Sequence, residues 1–314
     1  MDSIVIVAFN TVFPLLAMML TGVLLRSLKL IDDGTVKHLN LASSKVFIPF
    51  LLFNNVYRAD LRSAFNLRLF LFELTFVFLL FAILFVAVPR LVKDRKTQYS
   101  VLSAMSWPNC TMFGLPILAS LFGSAGTEAG TIMIVTVAPF FSAGSVVITE
   151  LYRNSERMKL GNLLKSVAKN PMLWGSVLGL TFNLCGIKLP VFLASPISTI
   201  ASIAAPLALI TLGAFCKRGS FSSLRKPAIW GILFRLFLFP ALVLAGGVLF
   251  GYSGMSLLGL VIIFASPSAV STFSLANPRY ANTELSALYV SATSLLSVAS
   301  YFIWIVLLRL TGLC

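Results

Sequence analysis

Apolar residues in this chain come in runs near 20 long, separated by short polar connections, and the pattern holds from one end to the other. A helix of about 20 apolar residues crosses a hydrocarbon core of about 30 Å. In that solvent every backbone polar group must be satisfied internally, so runs of this kind span as helices. Hydrophobic residues make up 58% of the 314 residues and charged residues only 11%, with a mean hydropathy of +0.96. A soluble domain carries roughly 25% charged residues. The runs predict ten spans, near residues 4–25, 38–57, 68–88, 98–120, 128–151, 166–186, 191–215, 228–250, 256–276 and 284–310. The second is the least regular, because Lys45 and several polar residues interrupt it. The first lacks a basic lead and a small-residue cleavage site, so it reads as a retained span. The longest polar connection, residues 152–165, leaves no room for a soluble domain.

Orientation follows from lysine and arginine. Counting Lys169 with the loop it follows and Arg68 and Arg309 with the surface their span ends reach, the connections between spans 1–2, 3–4, 5–6, 7–8 and 9–10 carry 17 of the 24 basic residues, the opposite side carries five, and Lys45 and Arg235 fall deeper inside spans. Both termini are therefore expected outside, with the basic loops in the cytoplasm. The net charge of +14 reads as this bias plus attraction to anionic lipid. Scattered over short loops, it does not fit a nucleic-acid partner. Cys110, Cys185, Cys216 and Cys314 show no CxxC spacing, and a lone histidine builds no metal cluster. No nucleophile–base pair, HExxH motif or phosphate loop points to an enzyme or a cofactor.

Two prolines interrupt apolar runs at matching places in the two halves of the chain. Pro108 and Pro267 are 159 residues apart, close to the 157 of half the chain. Proline in a helix removes a hydrogen bond and clashes with the preceding turn. In a bilayer such a break survives where it is buried in protein or lines a wet cavity, and matched breaks mark a transporter's site. Other landmarks recur at nearly the same offset. Pro49 in span 2 matches Pro206 in span 7, and Thr127-Glu128 matches Thr283-Glu284. Five spans per half is an odd number, so the second copy must enter the membrane from the other side. The sequence thus predicts an all-α polytopic membrane protein of ten transmembrane helices. They form two inverted five-helix repeats, residues 1–157 and 158–314, with broken helices 4 and 9.

The stretch Ser106-Trp107-Pro108-Asn109-Cys110-Thr111-Met112-Phe113-Gly114-Leu115-Pro116 resembles the Asn-x-x-Phe-x-Gly-x-Pro signature of the auxin efflux carrier family. That family includes plant PIN-type carriers and bacterial organic-anion carriers. Ala265-Ser266-Pro267-Ser268-Ala269 is similar to its span 9, and residues 49–53 to its span 2. The resemblance covers essentially the whole chain. It implies that helices 4 and 9 cross at mid-membrane, that the substrate is a small organic acid such as a dicarboxylate or an aromatic acid, and that members pair as homodimers. The connection between halves is short, as in a compact bacterial-type member.

A broken helix restarts with free N–H groups and a dipole end worth about +0.5 charge, which suits an anion without any charged side chain. Asn109, Cys110 and Thr111 open the second half of span 4, and Ser268, Ala269 and Val270 that of span 9. The candidate substrate residues are Pro108, Asn109, Cys110, Thr111, Ser266, Pro267, Ser268 and Ser271, with Asn10 and Phe113 on the cavity wall. Pro49 and Pro206 either bend spans 2 and 7 around the crossing or help them pack. Carbonyls freed before each proline equally suit a sodium ion.

Ionisable groups inside spans are costly and therefore functional candidates. Lys45 and Glu73 lie in neighbouring spans where they can pair, and Glu73 can exchange a proton. Its bland alternative is snorkelling to the outer surface. Arg235 is expected to snorkel toward the cytoplasm. Alternating access of an organic anion, with export as the expected direction, is the mechanism these features favour, with potential-driven, proton-coupled and sodium-coupled modes all open. A cation–proton antiporter shares the broken-helix plan but needs carboxylates at the crossing, and a ligand sensor usually carries a soluble domain.

Overall fold

The computed structural model describes residues 2–58, 66–153, 168, 171–215 and 226–314. Within these, the side chains of residues 2–12, 15, 44, 172 and 226 are not described. Cys216 lies outside the described residues, as does most of the 152–165 connection. Every regular element among the described residues is helical. In chain order they are α1 (Asp2–Ser27), α2 (Asp33–Ala42), α3 (Ile48–Arg58), α4 (Leu67–Leu91), α5 (Arg95–Ser106), α6 (Leu115–Arg153), α7 (Pro171–Leu184), α8 (Val191–Phe215), α9 (Lys226–Leu233), α10 (Phe239–Leu249), α11 (Gly254–Phe264), α12 (Val270–Leu275) and α13 (Thr283–Leu310). Five helical stretches among them are long and apolar enough to cross a bilayer: Leu67–Leu91, Cys110–Arg153, Val191–Phe215, Pro227–Leu249 and Thr283–Leu310.

The helix starts follow the local chemistry. Asp32, Asn66, Asp94 and Asn282 each accept a hydrogen bond from the backbone N–H three residues on, at 2.7 to 3.0 Å. Each thereby satisfies one of the orphan donors of a first turn. Prolines explain the irregular turns. Three π-helical turns, Ser43–Phe47, Cys110–Gly114 and Phe234–Leu238, each end two residues before a proline, at Pro49, Pro116 and Pro240. The proline cannot donate to the carbonyl four residues back, and a widened turn re-routes the ladder around the loss. The expected span 2 is accordingly α2, a π turn and α3 in succession.

The runs expected at 98–120 and 128–151 meet inside α6, where Gly123 adopts φ 63° and ψ −139°. Only glycine takes that conformation freely. The chain folds back there. A Cβ on Gly126 would stand 2.1 Å from the Leu118 carbonyl, and one on Gly130 would meet the Leu118 side chain at 2.8 Å.

Two groups of helices result. α1 packs on α8, and α3 packs on α7 and α8, with α2 also against α8. Gly22 and Gly213 allow the first of these contacts, since a Cβ on either would lie 1.9 Å from a carbonyl oxygen of the facing helix. Small residues of this kind let membrane helices approach closely. In the second group α4 and α5 pack on α6, α10 on α11, and α11 on α6 and α13. Phe264, at the end of α11, meets Phe239, Phe141 and Phe76 with ring centroids 5.6 to 6.5 Å apart, fixing that helix end in the core.

Candidate functional site

The two proline breaks touch. Pro108 and Ser268 form an isolated antiparallel bridge, in which the Asn109 N–H donates to the Pro267 carbonyl at 2.7 Å and the Ala269 N–H donates to the Trp107 carbonyl at 2.9 Å. Asn109 and Ala269 are 160 positions apart, and so are Trp107 and Pro267, so the two bonds exchange under one shift of the numbering. A helix break frees backbone donors and acceptors, and here each break satisfies the other.

Arg235 closes the same junction from behind. It is fully buried at 0% exposure, its Nε donates to the Ser266 carbonyl at 2.9 Å and its Nη1 to the Met105 carbonyl at 3.2 Å. Those carbonyls stand at the C-terminal ends of α11 and α5. Each helix C-terminus carries about −0.5 charge, so two ends together nearly balance one guanidinium. This differs from the snorkelling expected of Arg235. The helix rotation that aims it inward is invisible in an apolar run, although an arginine deep in such a run was itself the signal.

Beside the bridge lies a cavity of about 110 Å³, lined by Pro108, Asn109, Cys110, Thr111 and Ser271 together with α3, α6 and α8. It sits between the two helix groups. Asn109 is half-buried, and its side-chain amide reaches the weak acceptor Sδ of Met112 at 3.6 Å. The N–H groups that follow it open the helical stretch of residues 110–122, which ends at the Gly123 fold-back, and they carry the positive end of its dipole. Among the described residues the lining holds no carboxylate, and the Cys110 thiol is its one ionisable group.

The structure divides the sequence candidates. Pro108, Asn109, Cys110, Thr111 and Ser271 share the cavity wall. Ser266, Pro267 and Ser268 do not; they belong to the junction. Ser266 Oγ accepts from the Tyr301 hydroxyl at 2.9 Å and donates to the Ile262 carbonyl, and the Ser268 N–H donates to Thr293 Oγ1 at 3.0 Å. Phe113 is fully buried in a cluster with Ile117, Leu258 and Trp304, away from the wall, because the π turn after Pro108 rotates it toward α11 and α13. Asn10 lies on α1, and its side chain is outside the described residues. Pro49 is buried in α3, and its carbonyl lies against Gly175 of α7, so it serves that packing. Pro206 lies on α8 between Ala205 and Ala208, which line the cavity.

Lys45 and Glu73 are not brought together. Lys45 is exposed, whereas Glu73 is 1% exposed. Among the described residues the salt bridges join Arg26 to Asp33 and Arg153 to Glu150. Glu73 Oε2 accepts from the Thr136 hydroxyl at 3.4 Å, and Oε1 is buried without a hydrogen-bond partner. The carboxyl faces a separate cavity of about 320 Å³ that also holds Asn66, Glu128 and Ser256. α6 stands between the cavities, with Met133 and Thr136 toward Glu73 and Ile134 and Ala138 toward the crossing. Asn55 of α3, a wall residue not among the sequence candidates, follows Asn54 directly after the Pro49–Phe53 run. Two consecutive amides inside an apolar run were its signal.

A family model described as "Membrane transport protein" matches this chain over residues 7–162 and 153–305. The chain is similar to an "Uncharacterized transporter" of Methanothermobacter thermautotrophicus, 25% identical over 304 residues that cover 95% of this chain and 98% of that protein.

Proposed function

The chain belongs to the membrane transport protein family, the auxin efflux carrier family that its span 4 motif resembles, and from that premise we propose that it carries small organic anions by alternating access. The observation that carries the reading is the cavity at the joined breaks. It offers an amide, hydroxyls and a half-helix N-terminus, and no carboxylate among its described lining residues. Such a set suits a carboxylate and opposes a cation. A cation–proton antiporter is disfavoured on the same ground. A sodium ion behind the breaks is disfavoured by Arg235, whose guanidinium takes the carbonyls of Met105 and Ser266.

In the proposed cycle the group containing α1, α2, α3, α7 and α8 rocks against the group containing the breaks. The cavity between them then opens to one side and the other in turn. Ten spans in two inverted halves, with both termini outside the cell membrane, fit the loop charges and the local symmetry of the junction. Exit of the anion is assisted by a negative interior, about 2.3 kcal/mol per charge per 100 mV. Proton coupling through Glu73 is favoured over sodium, because among the described residues the hydrogen-bond partner of its carboxyl is the Thr136 hydroxyl, a donor rather than a further anionic ligand. A buried carboxylate without a counter-charge is more stable neutral.

The test is uptake of labelled organic acids into liposomes holding purified protein. Asn109→Ala is expected to weaken substrate affinity about 10–100-fold, the worth of a hydrogen bond to a charged group at about 1.5–3 kcal/mol. Wild-type uptake by a folded Asn109→Ala protein would remove the crossing site from consideration.

A further inference from the structure

The cavity of about 320 Å³ at Glu73 is a groove between α4 and α6, with Met255 and Ser256 of α11 completing its wall. Asn66, Leu69, Phe70 and Glu73 line it at the three- and four-residue spacing of one helix face, and Glu128, Ile132 and Thr136 form the facing stripe. Asn66 and Glu128 are exposed, whereas Glu73 is 1% exposed. Glu73 stands seven residues along α4 from Asn66, a rise of about 10 Å, so the groove runs from an exposed mouth to a buried carboxyl.

A buried carboxyl has an ordinary use as a tie between helices, and the Thr136 hydroxyl takes one oxygen of Glu73 in that way. A hydroxyl or an amide would tie α4 to α6 as well, at far less cost of insertion. The tie also leaves Glu73 Oε1 buried without a partner. No lysine or arginine is among the described residues of the wall. Arg68, one turn before Glu73 on α4, is turned elsewhere. Its guanidinium lies 5.4 Å over the Tyr252 ring and donates to the Phe250 carbonyl. The charge that would match Glu73 is therefore missing from the wall, and the space beside the carboxyl reaches the size of small-molecule sites, about 300 Å³.

The rest of the wall says what kind of cation fits. Among the described residues no cluster of three metal-ligating side chains occurs. Leu69, Phe70, Ile132, Met133 and Met255 instead make most of the surface apolar, with one aromatic ring among them. An ammonium on an apolar body suits such a wall, since a cation is also attracted to a ring face.

We propose that this groove is a second ligand site, separate from the crossing, that binds a small organic ammonium. Its N–H groups donate to the Glu73 carboxylate, its body lies along Phe70, Ile132 and Met133, and Glu128 at the mouth concentrates cations there. As the ammonium arrives the Glu73 carboxyl releases its proton to water, so the ligand competes with the proton of the proposed coupling.

Titration calorimetry of the purified full chain with phenethylammonium tests this, with 2-phenylethanol as the uncharged control of the same ring and chain length. Saturable binding of the ammonium and none of the alcohol is expected. Glu73→Gln keeps an acceptor for Thr136 and should weaken the ammonium about 10–100-fold, as loss of a hydrogen bond to a charged group does. Ala129→Phe, which fills the groove and leaves Glu73 in place, should abolish binding, and a melting curve of each variant reports its folding. Absence of saturable binding to the wild type, equal binding of the alcohol, or an ammonium affinity that survives either substitution would overturn the inference. The crossing site would stand in each of those cases, because no residue of the groove lines it.

Discussion

At the first break, Asn109 and Thr111 stand half-buried on the cavity wall, with the helical stretch of residues 110–122 behind them as far as the fold-back at Gly123. At the second, Ser266 and Ser268 are 0% and 1% exposed, held among Tyr301, Ile262 and Thr293, and the helix that follows is the six-residue α12. The backbones nevertheless exchange matched hydrogen bonds. Equivalent landmarks in a sequence therefore predict a shared geometry without predicting shared work. In the proposed reading the first break supplies ligand donors, and the second supplies the fixed surface against which the first is held.

Arg235 serves both breaks, so its loss should have the largest effect and should not distinguish them. Arg235→Met keeps the apolar stem while leaving the Met105 and Ser266 carbonyls without their donor. Two buried orphan acceptors at about 1–3 kcal/mol each imply a destabilisation near 3 kcal/mol or more. Thermal unfolding of the purified protein measures it. An unchanged melting temperature would mean that the junction holds without the guanidinium.

The contrast between the breaks is sharpened by crossing two readouts. Asn109→Ala should damage affinity and spare stability. Thr293→Val, nearly the same shape, removes the acceptor of the Ser268 N–H and should cost about 1–2 kcal/mol of stability while leaving the substrate KM near wild type. If Thr293→Val shifts KM as strongly as Asn109→Ala, the second break takes part in binding and the division of labour fails.

The meeting of the breaks was legible because proline leaves a mark that hydrophobic patterning cannot hide. Pro108 and Pro267 declared where the ladder is interrupted, and interrupted ladders in an apolar solvent must find partners. Which side chains then face the cavity was not legible. A helix apolar on every side gives no preferred face, so the rotation that buries Phe113 and Ser268 and aims Arg235 inward has no local signature. Arg235 and Glu73 were visible as costly charges, but their partners lie on other helices, 130 residues away for Met105 and 63 for Thr136. Asn54 and Asn55 are visible as two consecutive amides in an apolar run, but the run carries no sign of which of them faces the cavity. The fold-back at Gly123 was readable as a gap between two spans, though not as a single glycine turn.

The helices that lead into the breaks differ in a way that acid should reveal. α5 starts on Asp94, whose carboxylate accepts from the Thr97 hydroxyl at 2.6 Å and the Thr97 N–H at 2.8 Å. α11 starts on Ser253, which makes no side-chain capping bond. The Thr97 hydroxyl first, and then its N–H, hold the Asp94 carboxyl below its ordinary range. A carboxyl with a lowered folded-state value contributes stability that is present above the unfolded value, about 3.9, and is lost as pH falls through the folded one. Asp94→Asn preserves a capping acceptor but cannot titrate. At neutral pH wild type should exceed it by a few tenths of a kcal/mol, discounted for exposure at the surface, and the gap should close as pH drops below about 4. Melting curves of the two proteins from neutral to acid pH give the difference directly. A gap that persists in acid would mean that the first break's lead helix is held by shape alone, and the two lead helices would then be alike in their response to pH.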